Sequence, residues 1–298
     1  MNKYLLIALL LCVPAISHSQ AKSKQALRTQ IQSIIDSLDG KVGVGVLGLD
    51  FKESLLVNDE WHYPMQSVYK MPLAIAILHQ VDQGKLSLQQ RYSINRASLM
   101  KETWSPMLTD FTGDKIDINL ADLLRYSVSK SDNNACDVLF GIAGGPKAVD
   151  QYFKLAGIRH MNIANTEEEM HKDWSAQYRN WARPSGMLQV LRQLYAGKLL
   201  KPERRAYLLK LMTESDNSET RIKGTIPPTT IVAHKTGTSG SNAEGLRGAV
   251  NDAGIITLPN GRHYALVVFV SDYKGNVVRG EQTIAAISRA VWDYMLRH

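Results

Sequence analysis

Ser67-Val68-Tyr69-Lys70 sets a hydroxyl and an amine three residues apart, a spacing that puts two side chains on one face of a helix. A serine hydroxyl is a weak nucleophile, and an amine beside it can take its proton or hold the base that does. The same Ser-x-x-Lys pattern also begins at Ser19, Ser98, Ser127 and Ser271, so the pattern alone selects nothing. The copy at Ser67 differs in context: the turn Pro64-Met65-Gln66 precedes it and an apolar run from Val68 to Val81 follows. A helix starting there would supply free backbone N–H groups and the positive end of its dipole where an oxyanion develops. Ser131-Asp132-Asn133 is a second polar group; its residue types serve equally as helix N-caps. Lys235-Thr236-Gly237-Thr238 continues the apolar stretch Ile231-Val232-Ala233. A solvated edge strand could produce that cluster. Equally, a glycine there permits close backbone approach by a ligand, and a lysine with two hydroxyls offers charge and donors to a carboxylate.

These groups need elements to hold them. Leu27, Ile31, Ile34, Ile35 and Leu38 recur at helical spacing up to Gly40, and Val42, Val44 and Val46 alternate as a strand. The run Val68–Val81 predicts a buried helix ending at Gly84. Helical segments follow at Leu120–Val128, Asn133–Ile142, Pro146–Leu155, Pro184–Tyr195 and Pro202–Met212, punctuated by glycine and proline. The stretch from Asn162 to Arg183 is polar and lacks a clean period, so it reads as a long ordered loop, and it carries Glu167-Glu168-Glu169. Thr230–His234, Arg247–Leu258 and Tyr264–Val270 read as strands, with a hairpin turn at Pro259-Asn260-Gly261. An amphipathic helix with Ile284, Ile287, Val291 and Met295 closes the chain. Strand-rich ends around a helical middle predict a mixed α/β fold. Its antiparallel sheet, flanked by helices, is built from both termini (about residues 20–65 and 215–298), and an all-helical lobe (about 66–214) is inserted between them. A cleft between the lobes is the natural place for a site.

Composition narrows the classes. The chain has 298 residues with 44% hydrophobic and 21% charged content, ordinary for a globular enzyme. Its net charge of +7 is spread among interleaved acidic residues rather than gathered in a basic stripe, which argues against nucleic-acid binding and suits an anionic small substrate. Lys3, the apolar stretch Tyr4–Ile16 and the small residues around Ser17-His18-Ser19 read as an export signal over residues 1–19, with no later run long enough to span a membrane. Removal of that segment takes Cys12 and leaves Cys136, so no internal disulfide forms and Cys136 reads as a buried small hydrophobe. His62, His79, His160, His234 and His263 lack metal-ligand spacing, and neither a metal nor another cofactor is expected.

Taken together and in this order, Ser67-x-x-Lys70, Ser131-Asp132-Asn133 and Lys235-Thr236-Gly237 resemble the motif set of class A β-lactamases and penicillin-binding proteins. The resemblance covers essentially the whole mature chain. It implies that Ser67 is the nucleophile and Lys70 its activating partner, that Ser131 relays a proton to the lactam nitrogen, and that Lys235 holds that hydroxyl. It further implies an oxyanion hole from the N–H groups of Ser67 and Thr238, and a contact of Asn133 with the substrate's side-chain amide. Thr236 and Thr238, with Arg221 or Arg247, would bind the carboxylate; the sequence does not choose between the arginines. Trp104 either lines the cleft mouth or packs as a buried aromatic. Class A enzymes deacylate through a loop glutamate and a water steered by a polar residue four positions on, usually Asn. Here Glu167 has His171 at that place, which makes Glu167 the choice among the three glutamates. His171, Gln66 before the nucleophile, Asp137 three residues after Asn134, and the extended turn from Ser239 to Leu246 resemble the extended-spectrum, PER-like branch. The implied protein is a periplasmic monomer acting on small β-lactams. A penicillin-binding D,D-peptidase and a non-hydrolytic β-lactam sensor share the acylating apparatus and are the alternatives.

Overall fold

The computed structural model describes residues 13–215 and 219–297. Of the expected export signal, residues 1–12 lie outside the described residues, and Val13–Ser19 belong to the first turns of helix α1 (Val13–Ile35). Five strands form one antiparallel sheet: β1 (Lys41–Gly48), β2 (Ser54–Val57), β3 (Val232–Thr238), β4 (Leu246–Thr257) and β5 (His263–Lys274), in the order β2-β1-β5-β4-β3. The pairing Lys41↔Ser271 to Gly48↔Tyr264 joins the two ends of the chain at the centre of the sheet.

Strand alternation divides the core in two. In β5, Tyr264, Leu266, Val268 and Val270 face one apolar layer, while Ala265, Val267 and Phe269 face the other. The first layer is closed by α1 and by the C-terminal helix α8 (Val277–Met295), which supplies Ile284, Ile287, Val291 and Met295. The second is closed by helix α6 (Pro184–Tyr195) and continues into the helical part of the molecule. Val42, Val44 and Val46 of β1 all face the first layer. The intervening Gly43 and Gly45 face the second, where an added Cβ would meet the Tyr63 ring at 2.5 Å and Leu188 at 2.8 Å. Glycine at these places lets Tyr63 and α6 lie directly on the strand.

The helical part is organised around α2 (Lys70–Asp82), in which every residue from Lys70 to Leu78 is buried. Such a helix is apolar on all sides because it is surrounded, here by α3 (Leu120–Val128), α4 (Asn133–Ala143), α5 (Pro146–Leu155) and α7 (Pro202–Thr213). Pro72 sits in its first turn, where no N–H is needed, and Gly84 beyond its end takes φ +72°. Two features depart from the periodicity reading. Arg91–Asn95 pairs with Lys115–Asn119, and Tyr63–Pro64, Met161–Asn162 and Trp181–Ala182 form a second small sheet, so the middle of the chain is not purely helical. Tyr92 and Ile94, and Ile116 and Ile118, alternate with polar neighbours, a period-2 signal the helical reading passed over, whereas the two-residue strands are too short to carry one. The segment 162–183, expected as loop, contains a helix over Glu167–Lys172 and a 3₁₀ turn over Trp174–Arg179. Thr166 and Glu169 form a capping box that starts the helix.

Candidate active site

Ser67 does not open α2 itself. It lies in a 3₁₀ turn, Gln66–Tyr69, that runs into α2 and is entered through Gln66 at φ +48°. The turn is held from outside: Asn251 of β4 donates from Nδ2 to the carbonyls of Pro64 (2.7 Å) and Met65 (3.1 Å). Gly237 of β3 lies against it, and a Cβ there would stand 2.6 Å from the Met65 carbonyl and 3.0 Å from Ser67 N. Ser239 N donates to Ala249 O at 2.9 Å, so ladder alternation turns the Thr238 N–H away from β4, to the open edge of the sheet beside Ser67. The close approach at Gly237 thus brings the N–H groups of Ser67 and Thr238 to one spot.

Lys70 is fully buried. Its Nζ donates to Ser131 O (2.8 Å) and Asn133 Oδ1 (2.5 Å) and lies 3.0 Å from Glu167 Oε1. Burial of this ammonium is tolerable because a carboxylate and two neutral acceptors surround it. Asn133 hands its Nδ2 to Thr103 Oγ1 at 2.8 Å, so its side chain is fixed at both ends. Ser131 adopts φ +57°, a conformation uncommon for a residue with a Cβ. Asp132 supports it: fully buried, its carboxylate accepts from Ala135 N, Met107 N and Ser105 Oγ, capping α4 and tying the Ser131-Asp132-Asn133 turn to a short helix over Pro106–Asp110. Ser131 Oγ receives Lys235 Nζ at 2.9 Å. Burial, with Lys70 and Arg221 nearby, lowers the Lys235 pKa to about 7. Behind Lys70, Tyr69 and Cys136 are packed against each other (Oη–Sγ 3.7 Å), and burial pushes both of their pKa values well up, so both stay neutral.

Glu167 is positioned from α4. Asp137 accepts from the N–H groups of Glu167 (2.7 Å) and Glu168 (2.9 Å), so its carboxylate caps the helix that carries the glutamate. Partial burial raises the Asp137 pKa to about 7; the two N–H donors oppose that rise, and Glu167 adds to it. Gln177 fixes the other end of the loop. It is 3% exposed, accepts from Gln66 Nε2 at 2.6 Å, and donates to Trp174 O at 2.8 Å. Sequence reasoning assigned no role to Asp137, Gln177 or Asn251. The available signals were Asp137 itself, set apart three residues after Asn134, and the pair Asn251-Asp252, polar and side by side within an otherwise apolar strand.

The cleft, about 660 Å³, is lined by Ser67, Trp104, Ser131, Asn133, Thr236, Gly237 and Thr238. Trp104 is 57% exposed and fixed by Nε1 donating to Lys130 O at 2.9 Å, so it stands at the cleft and not in the core. Arg221 lines the cleft and donates to Thr238 Oγ1 at 2.6 Å. Arg247 is directed elsewhere, to the carbonyls of Ser239 and Gly275. An adjoining pocket of about 210 Å³ under the loop is lined by Glu167, His171, Gln177 and Ser239 among others. The Ser239 hydroxyl is occupied there, accepting from Ala249 N and donating to Gly240 O at 2.8 Å each. Among the described residues, no group of three His, Cys, Asp or Glu is placed to hold a metal, and no helix is long and apolar enough to cross a membrane.

Comparison with known proteins agrees with this geometry. Residues 26–295 match the β-lactamase enzyme family, Beta-lactamase2. The extended-spectrum β-lactamase PER-1 of Pseudomonas aeruginosa is 41% identical over 97% of this chain and 93% of its own. The crystal structure of a β-lactamase from Chitinophaga pinensis superposes with a TM-score of 0.88 at 43% identity, covering 91% of this chain and 99% of that one. A representative class A β-lactamase from Bacteroides cellulosilyticus superposes with a TM-score of 0.88 at 34% identity, covering 93% and 99%. The chain belongs to the β-lactamase enzyme family and is a serine β-lactamase of class A.

Proposed function

We propose that the chain opens the amide of penicillins and cephalosporins through an ester on Ser67 and frees the product with a water activated by Glu167. The Ser67 hydroxyl gives its proton to the Lys70–Glu167 group as Oγ attacks the lactam carbonyl. The oxyanion forms against the Ser67 and Thr238 N–H groups; losing one such donor typically lowers the rate by roughly 10²–10³. Ser131, held by Lys235, passes a proton to the departing lactam nitrogen. Glu167 then takes a proton from water as that water attacks the ester, and Ser67 leaves with a proton. Asn133 and Trp104 flank the acylamino side, and the Thr236 and Thr238 hydroxyls take the carboxylate. Arg221, not Arg247, is the arginine of that subsite, since it alone of the two reaches Thr238. The pocket beneath the loop, with His171, extends the acylamino side and suits the bulkier substituents of cephalosporins. The protein is exported to the periplasm, loses residues 1–19, acts as a monomer and confers antibiotic resistance.

The observation that carries this reading is the 3.0 Å approach of the Glu167 carboxylate to Lys70 Nζ. A carboxylate inside the nucleophile's cluster is what ester hydrolysis requires, beyond acylation alone. The test is intact mass during turnover of a chromogenic cephalosporin. The native chain should complete many turnovers with a transient adduct, and Glu167→Ala should accumulate the adduct. One equivalent consumed by the native chain, with a lasting adduct, would make it a penicillin-binding enzyme or a sensor. An unchanged rate in Glu167→Ala would remove Glu167 from the mechanism.

A further inference from the structure

The cleft is arranged for an anion, yet a carboxylate lines its far end. Beyond Thr238 the wall is made by Glu219, Thr220, Arg221 and Glu281. A guanidinium carries five N–H donors, and all five of Arg221 are used. Nε and Nη2 donate to Glu281 Oε1 at 3.2 Å each, Nη1 donates to Gly237 O (3.0 Å) and Asn251 O (2.8 Å), and Nη2 also donates to Thr238 Oγ1 (2.6 Å). Arg221 therefore offers no free fork to an incoming carboxylate. It supplies orientation: because the Thr238 oxygen accepts from Nη2, the Thr238 proton remains to be given to the substrate. Glu281 is engaged through Oε1 alone, and among the described residues Oε2 has no hydrogen bond. Its side chain is 18% exposed where it meets the cleft. What this end of the cleft presents is a carboxylate oxygen.

A cephalosporin carries its carboxylate and its second substituent on adjacent ring carbons, with the acylamino group across the lactam. With the lactam carbonyl at Ser67, the acylamino group at Asn133 and the carboxylate at Thr236 and Thr238, the second substituent points to the end lined by Glu281. We propose that Glu281 is a specificity-determining residue that favours cephalosporins bearing a permanent cation on the substituent beside the carboxylate over simple monoanions. This rests on the hydrolytic reading above. Glu219, which pairs with Lys223 through one oxygen, is 73% exposed, so among the described residues Glu281, held against Arg221 and 18% exposed, is the carboxylate fixed in place at this end.

The experiment compares kcat and KM for two cephalosporins with the same acylamino group, one with a neutral acetoxymethyl and one with a pyridiniomethyl substituent. The wild type, Glu281→Gln and Glu281→Asp are measured at low and high salt. In Glu281→Gln the kcat/KM ratio of zwitterion to anion should fall about fivefold to tenfold, the scale of one screened charge pair, chiefly through KM. Glu281→Asp should restore most of it. Added salt should shrink the wild-type ratio and leave that of Glu281→Gln flat. A general loosening of Arg221 would lower both substrates alike and leave the ratio unmoved; that outcome overturns the proposal, as does a wild-type ratio insensitive to salt, which needs no variant to fold. If the wild type turns over neither compound, the hydrolytic reading falls and takes this one with it. If it turns over both and the ratio stays put, this one alone fails.

Discussion

Lys235 sits in a fully buried position facing Ser131, and its pKa is lowered to about 7 by burial first and then by Lys70 and Arg221. The direction follows from what surrounds it: water is gone and two further cations stand near. In the empty cleft its charge is therefore lost as pH rises through about 7, while a bound carboxylate favours the charged form and delays that loss. We predict that kcat/KM for a monoanionic penicillin, which reports the free enzyme, declines above about pH 7 while kcat persists to higher pH. Lys235→Arg, whose guanidinium keeps its proton, should lack that alkaline limb. Rate–pH profiles of both proteins check this, and a wild-type profile flat to pH 9 would exclude it. At this scale the sequence was most legible where residue type and chemistry coincide. Ser67, Lys70, Ser131 and Lys235 could be singled out only from the three motifs taken together and in order, and the structure sets them around one cluster. Gln177 and Asn251 could not, because a buried amide that ties a turn in place has no spacing of its own.

Among the elements, the short helix Glu167–Lys172 depends most on a residue distant in sequence. Its own capping box satisfies the N–H of Glu169, and Asp137 of α4 satisfies those of Glu167 and Glu168. Asp137→Ala leaves two donors unmet at the start of that helix, which should cost about 1–3 kcal/mol each where they stay dry. The helix should then fray, so Glu167 loses its register and deacylation slows more than acylation. Pre-steady-state burst amplitudes and hydrogen exchange of residues 166–172 measure the two effects. Equal slowing of both chemical steps, with exchange unaltered, would show that Asp137 does not hold the loop. The sequence foretold the long helices well, since Val68–Val81 and Pro184–Tyr195 carry enough apolar positions to fix both type and extent. It missed the helix at residues 167–172 because five polar residues around the single Met170 bear no period; its capping box and the Asp137 cap make that helix, not an apolar pattern.

The whole molecule separates stability from chemistry by layers. The cleft opens between the sheet edge and the helical part, whereas α1 covers the opposite face of the sheet; α8 packs beside α1 there and reaches the cleft at its N-terminal end, where Glu281 pairs with Arg221. Ile31 on α1 is fully buried in that layer. Ile31→Ala should cost roughly 2–5 kcal/mol and lower the melting temperature by roughly 5–15 °C, with kcat per folded molecule unchanged. Calorimetry beside active-site titration tests this, and a fall in kcat of the folded fraction would show that the two faces are coupled. The mixed architecture was readable from strand-rich ends around a helical middle, because alternation and helical period survive over long elements. The strand order was not, since pairing partners are chosen in space. That order has a consequence for how the protein comes into being. β1 is synthesised early, but its neighbour β5 emerges more than two hundred residues later. Until then the first strand has only the short β2 beside it, and the sheet cannot close on a ribosome-bound fragment. The sheet consequently cannot close before β5, its central strand, is available to pair with β1, and contacts so distant in sequence make that closure slow.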